Sequence, residues 1–138
     1  MAQYILEDMV RKEGLSDKFC IESAAVTTEE IGNGLHYGAV RKLKKEGIPT
    51  GDHRAVQMRR SDYNEYDHII GMDEWNLRGM KRIAGEDREG KLSLLLDYTD
   101  HPRDIADPWY TGDFETAYSD IYKGCKAFLG YLKKNNMI

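Results

Sequence analysis

The sequence predicts an α/β fold in which a small parallel sheet is covered by helices on both faces. Helix-like and strand-like segments alternate along the chain. The clearest strand-like segment is almost continuously apolar, as strands buried on both faces are, and the last helix carries a long apolar stripe. Because the 138 residues contain no linker, repeat or low-complexity tract, we expect one domain over residues 1–138.

The first half of the chain is predicted to hold two helices and a strand. Apolar side chains recur at helical spacing from Ala2 to Val10, and Gly14 is the expected stop. The elements expected after this helix are a strand at 18–26, a polar loop at 29–35 and a second helix at 36–46.

The second half continues the alternation. Asp73 stands directly after a short apolar run and is a good N-cap for a following helix. Lys91 to Tyr98 is nearly continuous in leucine and predicts a buried strand. The remaining expected elements are a helical turn at 61–66 capped by Ser61, a strand at 67–72, a loop at 99–111 and a helix from about Asp113.

Composition and charge exclude several classes of protein. Lys and Arg number 20 against 24 Asp and Glu, so the net charge is −4 and no basic excess exists to bind nucleic acid. No apolar run approaches the ~20 residues that span a bilayer, and the first ten residues, which include Glu7 and Asp8, do not form a signal peptide. With only Cys20 and Cys125, a disulfide scaffold is excluded and a cytoplasmic protein is expected.

Neither metal nor cofactor is expected from the motifs. The four histidines show no H-x3-H or HExxH spacing, which a zinc site on a helix would need. The chain also contains no P-loop and no G-x-S-x-G motif.

The segment Asp107-Pro108-Trp109-Tyr110 carries the clearest chemical signal. It follows the last predicted strand, where ligands bind in open α/β folds. Asp107 can donate a proton to a leaving group, and Trp109 and Tyr110 can form the walls of a pocket for a flat ring. The alternative is that Asp-Pro merely starts a turn and that the aromatic side chains pack on the core.

Three further candidate residues are weak signals individually. Ser23 could simply end the strand expected at 18–26, as a serine whose hydroxyl is hydrogen-bonded. A lone histidine such as His53 is more often a surface residue than a catalytic one. Asp73 is sufficiently explained as a helix cap.

Taken in order, these segments resemble the low-molecular-weight protein-tyrosine phosphatases over essentially the whole chain. The resemblance begins at Met1-Ala2-Gln3, which is similar to the residues that follow the phosphate loop of that family. The other matching segments are Ile21-Glu22-Ser23-Ala24, His53-Arg54-Ala55, Tyr66-Asp67-His68-Ile69-Ile70, Met72-Asp73-Glu74-Trp75-Asn76-Leu77, Asp107-Pro108-Trp109-Tyr110 and Asp113-Phe114-Glu115-Thr116.

The resemblance implies a three-layer, Rossmann-like fold and the hydrolysis of phosphotyrosine proteins or small aryl phosphates without a cofactor. It implies that Asp107 is the general acid and that Trp109 and Tyr110 flank the substrate ring. The remaining implied positions are Ser23 and His53, which would brace the phosphate loop, Asp73, near the arginine of that loop, and Glu29, where the family often has a pocket aromatic. Val56 also departs from the family, in which arginine is common there.

The sequence departs from the family at the nucleophile, which is the cysteine of a C-x5-R-S loop. The residue six positions after Cys20 is Val26, and the one six positions after Cys125 is Tyr131, so the motif is absent. Both cysteines are predicted to be small buried hydrophobic residues. We therefore expect an N-terminally truncated domain that is inactive as it stands, or alternatively a non-catalytic interaction or dimerisation module.

The departure also affects the expected sheet. The family's first strand lies in the middle of the sheet, and the chain opens on a helix instead. We therefore expect the 18–26 strand to move inward or to pair differently, or a second copy of the chain to complete the sheet as a homodimer through exposed strand edges.

Overall fold

The computed structural model describes residues 1–29 and 31–138, so Glu30 of the expected 29–35 loop lies outside the described residues. Two parallel strands are present, β1 (Ile69–Gly71) and β2 (Leu92–Leu94). The helices are α1 (Ala2–Lys12), α2 (Tyr37–Lys45), α3 (Asp62–Glu65), α4 (Glu74–Ala84), α5 (Pro108–Thr111) and α6 (Phe114–Lys134), and short 3-10 helices occupy Ser16–Lys18 and Leu95–Tyr98.

The sheet is covered on both faces, which confirms the predicted fold class. In β1 the side chain of Ile69 packs against a cluster that includes Met80 of α4, whereas its neighbour Ile70 packs against the larger cluster on the other face. Successive side chains of a strand point to opposite faces, so one short strand contributes to two cores. The larger core joins α1, α2 and α6 to the Leu95–Tyr98 turn.

The longest helix, α6, approaches the turn after β2 very closely. Gly124 lies so near Leu95 that a Cβ placed on this glycine would stand 2.5 Å from Leu95 Cγ. On the same face, Ile121, Cys125 and Phe128 are buried against Leu95 and Leu96. The missing side chain at Gly124 therefore sets the distance between α6 and the sheet.

Two local predictions were wrong. The strand expected over 91–98 ends at Leu94, because the Asp97 carboxylate accepts the Leu94 N–H at 2.9 Å and the chain turns into a 3-10 helix. Ser61 stands at the N-cap of α3 but makes no capping hydrogen bond. Asp62 holds this turn instead, because its Oδ2 accepts the Arg59 N–H at 2.8 Å.

The expected strand at 18–26 is reduced to a single parallel bridge between Ala25 and Gln57. The segment does not move inward to β1, and within the described residues its pairing is this one bridge, which lies outside the β1–β2 sheet. Backbone hydrogen bonds of 2.8 Å join Ala25 to Val56 and Met58, and Val26 packs into the space left by Gly79 of α4. These contacts hold the segment away from β1.

A cleft of about 2410 Å³ separates the 18–26 segment from β1. Its sides are formed by Phe19 to Val26 and by Ile69 to Met72, and buried residues of α6, including Cys125 and Phe128, also line it. Within residues 1–29 and 31–138 no third strand pairs with β1 or β2. One edge of β1 therefore faces the cleft.

Two glycines of α6 provide a test of the close approach. Gly124→Ala should lower the free energy of unfolding by about 1–3 kcal/mol, because the new methyl group overpacks against Leu95. Gly130→Ala should raise it by up to about 1 kcal/mol, since Gly130 is exposed, has no atom within 4 Å of its Cβ position and lies in the same helix. Urea unfolding followed by circular dichroism measures both, and equal effects would contradict the packing argument.

Candidate active site

The Asp107–Tyr110 segment forms the start of a short helix at one end of the cleft. Asp107 is its N-cap, with Oδ1 accepting the Trp109 N–H at 2.9 Å, and Pro108 occupies the first turn, where its missing N–H costs nothing. The turn expected from Asp-Pro is therefore present. The aromatic side chains do not pack into the core, because Trp109 is 56% and Tyr110 is 81% exposed.

The chain that leads to Asp107 is attached to the fold at two points. Ile105 is buried, and its N–H donates to the carbonyl of Met72, directly after β1, at 2.8 Å. Arg103 forms a two-pronged ion pair with the buried Asp120 of α6, at 2.9 and 3.1 Å, and this hydrogen bonding raises the pKa of Arg103. These contacts place the segment beyond the carboxyl end of the sheet.

Asp73 lies at the same end of β1 and caps α4 as predicted. Its Oδ1 accepts the Asn76 N–H at 2.8 Å, while Asn76 Oδ1 accepts the Met72 N–H at 2.9 Å. This reciprocal pair fixes the turn from strand to helix. The Asp73 carboxylate borders the cleft.

Ser23 and His53 are brought together by residues far apart in sequence. Ser23 Oγ lies 3.0 Å from His53 Nε2 and donates to Gln3 Oε1 at 2.7 Å. Because a hydroxyl has one proton, Ser23 must accept from His53, which assigns the His53 proton to Nε2. The Tyr4 hydroxyl accepts the main-chain N–H of His53 at 3.2 Å. Helix α1 therefore holds Ser23 through Gln3 and His53 through Tyr4.

The cleft collects most of the residues that the sequence singled out. Ser23, Glu29, Asp73, Asp107, Trp109 and Tyr110 all border it. His53 instead lines an adjoining pocket of about 180 Å³ that it shares with Ser23. Glu29 is exposed at the rim of the cleft.

The two cysteines differ, and one prediction about them was wrong. Cys20 was expected to be buried in a strand, but it is exposed, because the 18–26 segment does not join the sheet. Cys125 is buried as expected, and its burial raises the pKa of the thiol to about 12. Among the described residues, no three His, Cys, Asp or Glu side chains are grouped so that they could hold a metal ion.

Sequence reasoning missed two residues of the site. Gln3 accepts the Ser23 hydroxyl proton, and no local pattern marks it, because it lies on the first turns of a helix. His36 caps α2 and contacts Trp109, with ring centroids 4.8 Å apart. No sequence signal marks it as a cap, because histidine is not among the residues that favour the N-cap position.

No helix in residues 1–29 and 31–138 has the length and apolar character that crossing a membrane requires.

Comparison with known proteins gives a consistent result. The model of the family described as "Low molecular weight phosphotyrosine protein phosphatase" matches residues 1–137. The chain is 34% identical to low molecular weight protein-tyrosine-phosphatase YfkJ of Bacillus subtilis, covering 100% of this chain and 90% of that protein. It is 39% identical to the low molecular weight phosphotyrosine protein phosphatase of Gallus gallus, covering 94% of this chain and 84% of that protein.

Solved structures agree with the sequence comparisons. The crystal structure of Bacillus subtilis YfkJ superposes with a TM-score of 0.93 at 34% identity, covering 97% of this chain and 86% of that chain. The low molecular weight protein tyrosine phosphatase of Streptococcus pyogenes superposes with a TM-score of 0.83 at 32% identity, covering 95% and 82%. The resemblance to this family is therefore confirmed.

The two thiols should react at very different rates with a disulfide reagent at pH 8. Cys20 should react at once because it is exposed, whereas Cys125, with a pKa of about 12, has only about one molecule in ten thousand as the thiolate. Absorbance of the released thiol should therefore show one fast group and a second only after addition of denaturant. Cys20→Ser should remove the fast phase, and a fast phase that survived it would contradict the assignment.

Proposed function

Because the chain belongs to the low molecular weight phosphotyrosine protein phosphatase family, we propose that its cleft carries the acid and the aromatic walls of a phosphotyrosine site. We further propose that these 138 residues alone do not hydrolyse a phosphate ester. One observation carries the first proposal: Asp107, Trp109 and Tyr110 border the same cleft as Asp73 and Ser23. The substrate class is an aryl phosphate, either phosphotyrosine in a protein or a small molecule.

Asp107 is the group suited to protonate the leaving phenolate. When the phosphorus–oxygen bond of an aryl phosphate breaks, the phenolate oxygen takes the bonding electron pair and needs a proton. Asp107 Oδ1 already accepts the Trp109 N–H, so the donated proton would be carried by Oδ2. The Trp109 N–H of the short helix thus orients the Asp107 carboxyl group and leaves Oδ2 to carry the proton.

Trp109 and Tyr110 are suited to hold the substrate ring. They are large aromatic side chains, mostly exposed, at the rim of a cleft that also contains the acid. Stacking of a phenyl ring against such side chains contributes about 0.5–1.5 kcal/mol beyond the area that is buried. Glu29 on the rim adds a negative charge, which disfavours acidic groups next to the phosphotyrosine.

Ser23, His53 and Asp73 are proposed to support the phosphate-binding part of the site. Ser23 donates its hydroxyl proton to Gln3 Oε1, and its oxygen accepts a hydrogen bond from His53 Nε2. The two bonds together fix the orientation of the hydroxyl group. Asp73 offers a carboxylate at the end of β1, beside the cleft, where it could pair with a guanidinium group.

The absence of turnover follows from the cysteines of these 138 residues. Neither Cys20 nor Cys125 is followed by an arginine at the sixth position. Burial keeps the Cys125 thiol protonated, and the thiolate is the form that attacks phosphorus. No arginine of a C-x5-R loop is available to grip the phosphoryl oxygens.

Hydrolysis of p-nitrophenyl phosphate tests this proposal directly. The purified chain, confirmed by intact mass to begin at Met1, should release p-nitrophenol no faster than buffer. Turnover that is inhibited by vanadate and lost in Asp107→Asn would show that the acid is used but that another group attacks phosphorus. Turnover that is unchanged in Asp107→Asn would contradict the assignment of the acid.

A second candidate function is a dimerisation module without catalysis. One observation favours it: β1 presents an edge with no strand partner to a cleft of about 2410 Å³ within the described residues. Unpaired strand edges present N–H and C=O groups in register, and a second copy offers a matching edge. In this case Asp107 and Tyr110 would be retained without a catalytic role.

Sedimentation velocity separates the two candidates. A dimerisation module should sediment as a species of twice 15.9 kDa, in a fraction that rises with protein concentration. A chain that remains at 15.9 kDa at every concentration would exclude the second candidate.

A further inference from the structure

Besides the attachments at Ile105 and Arg103, the segment from Asp107 to Tyr110 contacts the rest of the fold through His36. This histidine is half-buried, and its Nδ1 accepts the N–H of Gly38 at 3.0 Å, so it is the N-cap of α2. A ring nitrogen that accepts a hydrogen bond is unprotonated, and the bond also fixes the plane of the imidazole. The ring orientation of His36 is therefore set by the helix that it caps.

The oriented ring contacts aromatic side chains from two other helices. The Phe114 ring, at the first residue of α6, stacks on it with centroids 5.0 Å apart and planes 21° apart. The Trp109 ring of α5 meets it edge to face, with centroids 4.8 Å apart and planes 80° apart. Both arrangements are favourable geometries for aromatic pairs. His36 thus joins α2, α5 and α6.

The first turns of α2 and α6, on either side of His36, are closely packed. A Cβ on Gly38 would stand 2.5 Å from Phe114 Cε2, so the first turns of α2 and α6 are in direct contact. One turn further along, the buried Lys42 ammonium binds Glu115 at 2.6 Å and Glu46 at 2.7 Å. His36, which contacts Trp109, is therefore held by α2 and α6, and these two helices are packed firmly against each other.

We propose that His36 is a positioning residue that holds Trp109, and with it the segment from Asp107 to Tyr110, at the edge of the cleft. The functional part of this proposal rests on the role proposed above for that segment. More than half of the Trp109 surface is exposed, and Trp109 follows Asp107 by two residues on the same short helix. Because the two rings are in contact, removal of the His36 ring should change the surroundings of Trp109.

Fluorescence of Trp109 tests the proposal without any turnover. The sequence contains two tryptophans, so Trp75→Phe, at a position that is 77% exposed, leaves Trp109 as the sole emitter. In that background His36→Asp keeps a capping acceptor but removes the ring, and His36→Phe keeps a ring but removes the acceptor. His101→Asn, at an exposed histidine, is the matched control.

These variants should distinguish the effect of losing the His36 ring from the effect of losing its capping acceptor. Acrylamide quenching of Trp109 should increase in His36→Asp toward the value of the urea-unfolded chain, and should stay near the parent value in His36→Phe and His101→Asn. Quenching that is unchanged in His36→Asp, or that rises equally in His36→Phe, would overturn the proposal. A double-mutant cycle of His36→Asp with Trp109→Leu should show about two- to tenfold coupling in the unfolding equilibrium constant.

A reciprocal measurement covers the case in which His36→Asp does not fold. Trp109→Leu alters a mostly exposed side chain, and its loss should shift the His36 ring-proton resonances by removal of the indole ring current. Resonances that stay in place would overturn the proposal. Because neither readout depends on hydrolysis, an unexpected result with p-nitrophenyl phosphate would change the proposed function and leave this test intact.

Discussion

The close approach of α6 to the Leu95–Tyr98 turn is the contact on which the rest of the structure depends. Gly124 allows the helix to lie against Leu95, and the apolar face around Cys125 and Phe128 is buried there. The same helix carries Asp120, which holds Arg103, and begins at Phe114, which stacks on His36. The helix that forms the core is thus also the support of the acid segment.

The longer helices were predictable from sequence where local signals agree, whereas the short helix α5 lies within the loop expected at 99–111. Asp73 stands before apolar residues at helical spacing and caps α4 as expected, and Asp113, near which the last helix was expected to begin, caps α6 with its side chain. The segment from Lys91 to Tyr98 shows the limit of such reasoning, since it is apolar enough for a strand throughout. A single side chain, Asp97, ends that strand by bonding back to Leu94.

The 18–26 segment and the site could be predicted only in part, because both depend on contacts between distant residues. The segment has the composition of a strand, but a strand needs a partner edge, and here the backbone of Ala25 bonds to the chain around Val56 instead. Similarly, the family resemblance selected Ser23 and His53, whereas Gln3, which completes their hydrogen-bond chain, carries no local signal. Contacts between side chains that are distant in sequence are determined by the whole fold and cannot be predicted from local patterns.

Three close approaches restrict how this sequence can vary. Gly38 faces Phe114, Gly79 faces Val26 and Gly124 faces Leu95, each with a Cβ position 2.5 Å from the partner side chain. None of these glycines has a positive φ, so volume and not backbone conformation excludes a side chain. Substitutions at the two positions of each pair must therefore be coupled: a larger residue on the helix is compatible only with a smaller one opposite, and related sequences should covary there.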